Sequence, residues 1–299
     1  MFFVNPTTQP QLKGRAMENL WQEYLRTLSK ELGDELAREF VASLHKRSNG
    51  CVEAATEFFF QLGQLWSPLM QHWGSWAQSR GRGTMALILR DAKPLGALPM
   101  AKEWKKLYLN RLTCGIGDEL SGESARQHPL LKKYLSQYDC AEYFTFVDSG
   151  CYGTVVLELH KLGVRFQPLF FFSKNPNIAG FLNEIGVSEK KGEILNDALE
   201  CGFPHLCLRP TELVESNGKI RVVLHPSDPL SVRFGKAAMR GVRSAPASNA
   251  SAISIAEALL SLSEKAHYEF TGILAHSSPE WSKKKEFLAS WPRTCAGYD

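Results

Sequence analysis

The segment YFTFVDSGCYGTVVLELHKLG, residues 143 to 163, changes from a strand pattern to a helix pattern within a few residues. Its apolar run ends on Asp148, and apolar residues at helical spacing follow from about 153 to 162. Between the two lie Gly150 and Gly153, and glycine permits positive φ angles and a close approach of other groups to the backbone. The segment therefore predicts a buried strand, a tight turn and a helix.

Strand-like and helix-like segments alternate on both sides of this turn. The segment KPLGALPMAKEW, residues 93 to 104, has a helix-like pattern between two strand-like runs. Strand and helix alternating at this spacing are typical of a parallel sheet covered on both faces. The predicted fold class is therefore α/β, with a mainly parallel sheet and helices on both faces. The predicted strands are residues 84–90, 105–111, 143–148 and 164–172.

The periodicity divides the chain into three predicted regions. Residues 1–83 form a helical N-terminal domain, residues 84–242 an α/β core with the turn, and residues 243–299 a linker and C-terminal helices. The last 47 residues are expected to form two helices and a frayed end. Within the core, Asn217-Gly218 predicts the turn of a β-hairpin.

The third helical segment of the N-terminal region is rich in aromatic residues. Pro68 is expected to kink or split it, because proline lacks the amide proton that a helix interior needs. Trp66, Trp73 and Trp76 could form a stacking surface for bases, but no Arg or Lys lies among them. Burial against the next domain is the favoured interpretation.

Composition limits the classes of function. A net charge of +4 over 299 residues makes nucleic acid unlikely as a partner and leans toward anionic ligands. The seven cysteines include no Cys-x-x-Cys pair, which fits reduced thiols in the cytoplasm. The N-terminus lacks the features of a signal peptide, and no apolar run is long enough for a membrane helix. A protein partner or homo-oligomer contacting the N-terminal helices is a further hypothesis.

The turn after Asp148 has the composition of a phosphate-binding cradle. Parallel sheets bind ligands outside the carboxyl ends of their strands, and the first amides of a helix attract anions. Asp148 would stand beside the cradle as a carboxylate. The alternative is a plain turn in which Thr154 caps the helix. The predicted ligand-binding residues of the turn are Ser149, Gly150, Cys151, Tyr152, Gly153 and Thr154.

Two other predicted strands also end in ligand-type residues. The apolar run of the first strand ends at Leu89 and is followed by Arg90, Asp91 and Lys93, and the second strand ends at Arg111. Cations at the carboxyl edge of a sheet can bind a pyrophosphate or a sugar phosphate, and arginine can bind such groups through two hydrogen bonds. Each charge alone is more typical of a solvated loop.

The stretches FTFVDSGCYGTVVLELHKLG and ALILRDAKPLGALPMA resemble the phosphoribosyl-pyrophosphate loop and the pyrophosphate loop of type I phosphoribosyltransferases. The resemblance implies that Asp148 meets the ribose hydroxyls and that the amides from Gly150 to Thr154 hold the 5′-phosphate. Arg90 and Lys93 would hold pyrophosphate, usually with Mg²⁺. The candidate catalytic residues are then Asp148, Arg90 and Asp91. The second acid of the family's loop is replaced by Ser149, and the loop is one residue shorter.

A second resemblance covers the same third of the chain, about residues 84 to 175. Domains associated with haloacid-dehalogenase-like hydrolases carry an Arg-Asp-Gly strand end and an Asp-x-Gly-Trp-x-Gly-Thr turn, and Asp148 to Thr154 is similar to that turn. It implies a phosphohydrolase-associated role. Direct phosphatase chemistry on Asp148 is disfavoured, because Gly150 stands where such enzymes need a second aspartate. Cys151 is disfavoured as a phosphatase nucleophile, because Leu157 occupies the position of the required arginine.

Three functions follow in order of preference. The first is binding of a phosphorylated ribose or nucleotide at the turn from Asp148 to Thr154, with phosphoribosyl transfer as the reaction. The second is a non-catalytic nucleotide-sensing or partner-binding module of the same fold. The third is a phosphohydrolase of the dehalogenase-associated type.

Overall fold

The computed structural model describes residues 8–32, 34–89, 92–116, 128–138, 143–203, 210–224 and 228–270. The strands are β1 Thr84–Ile88, β2 Lys105–Leu107, β3 Phe144–Asp148, β4 Phe166–Phe170, β5 Ala179–Gly180, β6 Pro210–Ser216 and β7 Lys219–Leu224. The first helices are α1 Thr8–Leu32, α2 Asp34–Ser48, α3 Val52–Arg80, α4 His128–Ser136 and α5 Thr154–Lys161. The later ones are α6 Phe181–Glu184, α7 Glu189–Gly202, α8 Pro229–Ser244 and α9 Ala252–Phe270.

The centre of the fold is a five-stranded sheet in the order β2-β1-β3-β4-β5, and all of its pairings are parallel. Helices cover it on both faces, which confirms the predicted α/β class. The chain crosses from β1 to β2 over one face, where Leu95 and Leu98 are buried in the same cluster as α3. It crosses from β3 to β4 over the other face, where Val156 and Leu159 of α5 are buried. The strand order therefore reverses direction between β1 and β3.

Helix α3 packs its aromatic residues onto the first of these faces. Trp73 is fully buried, and its ring centroid lies 5.1 Å from that of Phe171. Trp66 is also buried, while the partly exposed Trp76 donates a hydrogen bond from Nε1 to Glu184 Oε2 at 2.9 Å. The favoured interpretation, burial rather than a stacking surface, is confirmed for Trp66 and Trp73.

Pro68 does not split this helix, and the alternative expectation of a kink stays a prediction. A single helix runs from Val52 to Arg80, although an interior proline costs about 3 kcal/mol. The surrounding residues explain the tolerance, because Ser67, Leu69 and Met70 are all buried. Burial of the flanking turns outweighs one missing hydrogen bond.

Helices α3 and α8 approach each other closely enough to need glycine on both sides. A Cβ at Gly63 would lie 2.1 Å from the carbonyl oxygen of Ala238, and one at Gly241 would lie 2.0 Å from that of Phe60. The buried Ser67 hydroxyl donates to the carbonyl oxygen of Val242 at 2.7 Å. Helix α8 is thereby fixed against the N-terminal helices.

Two predicted elements of the core differ from the structure. The helix-like segment 93–104 contains two short 3-10 helices, Lys93–Ala97 and Pro99–Ala101, because its prolines interrupt regular α-helical hydrogen bonding. Strand β2 ends at Leu107 rather than at Arg111. The side chain of Asn110 competes with strand pairing: its Oδ1 accepts from the amide of Thr113 at 2.9 Å, and its Nδ2 donates to the carbonyl of Pro210 at 2.7 Å.

The hairpin at Asn217-Gly218 is confirmed. Strands β6 and β7 pair in antiparallel fashion, and the two turn residues have φ angles of 54° and 71°. These positive values at both central positions are typical of the type I′ turn. In the C-terminal region α9 is one helix, and the rest of the predicted segment lies outside the described residues.

One buried cluster extends from α1 to α9 and includes residues of all three predicted regions, such as Tyr24, Trp73, Phe171, Phe234 and Leu259. The three-region division stays a prediction, since the packing across its boundaries is continuous. Among the described helices, none combines the length and apolar character needed to cross a membrane.

We expect Gly241→Ala to lower the free energy of unfolding by about 1 to 3 kcal/mol, because the added methyl group overlaps the carbonyl of Phe60. An interior helix position normally gains from the same change, by about 0.5 to 1 kcal/mol. Urea unfolding measures the difference. The exposed Lys236→Ala on the same helix is the control. A stabilising effect of Gly241→Ala would contradict the close packing of α3 and α8.

Candidate functional site

The turn after β3 lies at the topological switch point of the sheet. Strands β1 and β3 are neighbours, with Leu87 opposite Val147, so both chains leave the sheet at the same carboxyl edge. In open parallel sheets, the crevice for ligands forms where the strand order reverses, between connections that leave toward opposite faces. The predicted phosphate-binding turn thus occupies the position where this architecture places ligands.

The backbone of the turn depends on its two glycines. Gly150 has a φ of 123° and Gly153 a φ of 83°, and the Gly150–Cys151 peptide bond is cis. Helix α5 begins at Thr154, and its N-cap is Gly153, with no side-chain cap hydrogen bond. Thr154 is therefore the first residue of the helix and not its cap. The first amides of α5 have no acceptor within their own helix.

The loop after β4 binds the carbonyl groups of the turn. The carbonyl oxygens of Asp148, Ser149, Cys151 and Tyr152 accept hydrogen bonds from this loop. These bonds run from Phe171 N to Asp148 O at 2.9 Å, from Phe172 N to Ser149 O at 3.0 Å, from Lys174 N to Cys151 O at 3.0 Å, and from Asn175 Nδ2 to Tyr152 O at 3.5 Å. The loop after β4 therefore forms a wall behind the turn.

Peptide planarity then determines where the amides of the turn point. In a trans peptide the N–H is directed opposite to the preceding carbonyl, and the four peptides that begin with these carbonyls are trans. The amides of Gly150, Tyr152 and Gly153 accordingly point away from the loop after β4. Since β1 and β4 lie on opposite sides of β3, the amide of Gly150, which follows a carbonyl bound by the continuation of β4, is directed toward the side of β1.

Asp148 stands at the start of this arrangement. It is the last residue of β3, it is partly exposed, and its Oδ1 accepts a hydrogen bond from the amide of Ser149 at 2.8 Å. Ser149 itself is fully buried. The carboxylate is therefore oriented by the first amide of the turn.

The cations predicted at the other strand ends have different placements. Lys93 is partly exposed and begins the first 3-10 helix after β1. Arg111 is exposed and lies in a turn beyond the end of β2. Neither forms an ion pair with another described residue. Arg90 and Asp91 lie outside the described residues.

Sequence reasoning missed the polar loop after β4. Lys174 is 5% exposed in its side chain, forms an ion pair with Glu193 of α7, and places its ammonium 5.5 Å from the ring centroid of Tyr152. The sequence does contain a pattern that indicates this loop, because the apolar run of β4 is followed by Ser-Lys-Asn-Pro-Asn from residue 173 onward. Polar residues at the end of a predicted strand are also the feature that made Asp148 a candidate site residue.

The described residues offer little to a resident metal ion. Across those residues, no group of three or more His, Cys, Asp or Glu side chains could hold one. Asp148 alone can supply a carboxylate at the turn. Mg²⁺ is commonly bound through one or two carboxylates together with the phosphates of a ligand, so a single carboxylate fits a metal that arrives with its ligand.

Comparison with known proteins does not assign the chain to a family. A scan against protein-family models finds no match, and a search of curated proteins finds none either. The function of the chain is therefore inferred from its own geometry.

We expect Gly150→Ala to reduce the free energy of unfolding by about 3 kcal/mol, because a Cβ there would lie 2.0 Å from the carbonyl oxygen of Phe172 and the φ of 123° is unfavourable for alanine. Gly163→Ala is a matched control. Gly163 also has a positive φ, of 74°, but no neighbour lies within 4 Å, so its cost is about 1 kcal/mol. Equal losses in urea unfolding would contradict the close contact between the turn and β4.

The burial of Cys114, which lies near Arg111 in the sequence, can be tested through the pH dependence of the free energy of unfolding. Burial raises the pKa of the Cys114 thiol from 9.0 to about 12, with Glu158 nearby adding to the rise and a hydrogen bond with Thr113 opposing it. The unfolded chain therefore loses this proton first, and the thiol's contribution to stability falls as the pH rises from 9 toward 12.

Cys114→Ala should show a weaker loss of unfolding free energy over this pH range than the wild type. Denaturant unfolding at several pH values measures the slope. Cys51→Ala removes an exposed cysteine and controls for loss of a thiol as such. Identical slopes for Cys114→Ala and the wild type would show that this thiol is not buried.

Proposed function

We propose that the chain binds a phosphorylated ribose or nucleotide at the turn from Asp148 to Thr154. The observation that carries the proposal is the direction of the amides of Gly150, Tyr152 and Gly153, which point away from the wall after β4. Convergent backbone amides at the start of a helix form a favourable site for a phosphate. Their position at the switch point of a parallel sheet supports the same conclusion.

Each residue has a role that its chemistry supports. The amides of the turn and the first turn of α5 bind the 5′-phosphate, helped by the positive end of the helix dipole. Asp148 accepts a hydrogen bond from a ribose hydroxyl with its oriented carboxylate. Lys93 lies after β1 and provides positive charge for a second phosphate group.

The reaction class that fits this arrangement is transfer of a phosphoribosyl group, as the resemblance to type I phosphoribosyltransferases implies. In that reaction the bond from ribose C1 to the pyrophosphate oxygen breaks, and a bond from C1 to the acceptor forms. Holding the ribose and its leaving group in a fixed orientation lowers the barrier. Lys93 would bind the departing pyrophosphate, and Mg²⁺ bound with it would supply charge neutralisation.

A non-catalytic nucleotide-sensing module is the second candidate. The observation that favours it is the burial of Ser149, which stands where the family's loop carries a second acid. A buried serine replaces that acid, so the ribose would meet one carboxylate instead of two. Such a site would still bind the phosphate through its amides and would bind the ribose hydroxyls more weakly.

The test is a thermal-shift titration with phosphoribosyl pyrophosphate, ribose 5-phosphate, nucleotides and inorganic phosphate, with and without Mg²⁺. A ligand at one hundred times its Kd stabilises the fold by about 2.7 kcal/mol, which raises the melting temperature measurably. We expect a shift with phosphoribosyl pyrophosphate in the wild type and a much smaller one in Asp148→Asn. The amide keeps an acceptor for the Ser149 N–H, so this variant removes the charge and preserves the turn.

Asp34→Asn is the matched control, since it neutralises an exposed aspartate at the start of α2. It should bind like the wild type. Binding without turnover of any acceptor base would favour the sensing module. No shift with any phosphate in the wild type would overturn the proposal.

A further inference from the structure

A groove of about 790 Å³ lies between helices α1 and α2. Trp21 of α1 and Val41 of α2 are buried at its floor. Trp21 is held by neighbours within the chain, because its Nε1 donates to the carbonyl of Gly50 at 3.3 Å and its ring centroid lies 5.2 Å from that of His45. The floor of the groove is therefore already ordered in the single chain.

Apolar side chains on the walls of this groove are open to solvent. Met17 is 38% exposed, Leu25 is half-buried, and Ala42 of α2 is exposed. Met17, Trp21 and Leu25 recur every four residues on α1, so they form a continuous stripe along one face of the helix. Methionine and aromatic side chains are enriched where proteins contact each other. The groove thus presents a surface that a second helix could cover.

The two walls of the groove differ in charge. Of the described residues that line it, those of α1 include Glu18 and no cation, while those of α2 include Arg38 and Lys46 and no acid. All three charged side chains are exposed, and none of them forms an ion pair with another described residue. The groove therefore has one acidic wall and one basic wall.

The positions of these charges distinguish two ways of pairing two copies of the groove. The contact between Trp21 and His45 places Glu18 and Lys46 at one end, and Arg38 lies toward the other. A twofold axis along the groove would lay α1 of each copy on α2 of the other, with Glu18 against Lys46. An axis across the groove would lay α2 on α2, with Arg38 against Lys46. Like charges would then meet, so the first arrangement is favoured.

We propose that this groove is the interface of a homodimer whose twofold axis runs along it, so that α1 of each copy packs on α2 of the other. The four helices form a bundle in which Met17 and Leu25 of each copy are covered, and the ion pair between Glu18 and Lys46 forms twice.

A second copy of the chain fits the groove because a twofold contact requires a self-complementary surface, and this surface carries both charges. An acidic or a basic partner alone would leave one wall without an opposite charge. The inference is independent of the proposed function, because the groove and the turn after β3 have no residue in common.

Analytical ultracentrifugation of the full chain over a range of concentrations measures the dissociation constant of the dimer. We expect the wild type to dimerise. Glu18→Lys alone and Lys46→Glu alone should each weaken the dimer about ten-fold or more, because like charges then meet twice in each dimer. An equimolar mixture of the two variants should associate as tightly as the wild type, since the introduced lysine of one chain then faces the introduced glutamate of the other.

The mixture separates contact between chains from effects within one chain, because each variant keeps its own changed charge. Glu23→Lys is the matched control: Glu23 is exposed on the same helix but does not line the groove. This variant should dimerise like the wild type. Thermal unfolding of each variant checks that the fold is retained.

Three results would overturn the inference. The first is a wild type that stays monomeric at every concentration. The second is a dimer that neither charge reversal weakens, which would show that another surface is used. The third is a mixture of the two weakened variants that fails to associate, which would exclude pairing of Glu18 with Lys46 across the twofold axis.

Discussion

The candidate site depends on hydrogen bonds between the turn after β3 and the loop after β4. A sharp turn exposes carbonyl and amide groups in about equal number, and a phosphate site needs the amides alone to face the ligand. Here the carbonyls of Asp148, Ser149, Cys151 and Tyr152 are bound by the neighbouring loop. Because peptides are planar, binding the carbonyls on one side directs the following amides to the other. The hydrogen bonds to the loop after β4 thus leave amides, instead of carbonyls, on the side of the crevice.

Aromatic residues of the N-terminal helices pack against the loop after β4. Phe171 begins the loop after β4, and its ring packs against Trp66 and Trp73 of α3. Helix α3 is in turn held by the close contact with α8 at Gly63 and Gly241. A chain of direct contacts therefore connects the helical N-terminal region to the turn. This connection gives the aromatic helix a structural role in positioning the turn after β3.

Part of the site could be predicted because it depends on local chemistry. The strand ending at Asp148, the glycine turn and the helix after it all follow from apolar spacing and the conformational freedom of glycine. The hairpin at Asn217-Gly218 was predicted for the same reason. The departures from the predicted elements concern residues whose conformation is set by distant partners. Pro68 does not split its helix because its neighbours are buried, and β2 stops early because Asn110 bonds to Pro210. The role of Lys174 could not be predicted, because its contacts with Tyr152 and Glu193 join residues distant in sequence.

The sequence by itself determined that a strand carrying Asp148 turns through two glycines into a helix, since those preferences belong to single residues and their near neighbours. It also determined the α/β class through the alternation of strand and helix patterns. The strand order and the partners of the turn were decided only in the tertiary structure. The reversal between β1 and β3, the wall formed by the loop after β4 and the cation on the ring of Tyr152 all join residues distant in sequence. Hydrogen bonds and packing between such residues depend on how the strands pair, and no local pattern encodes that choice.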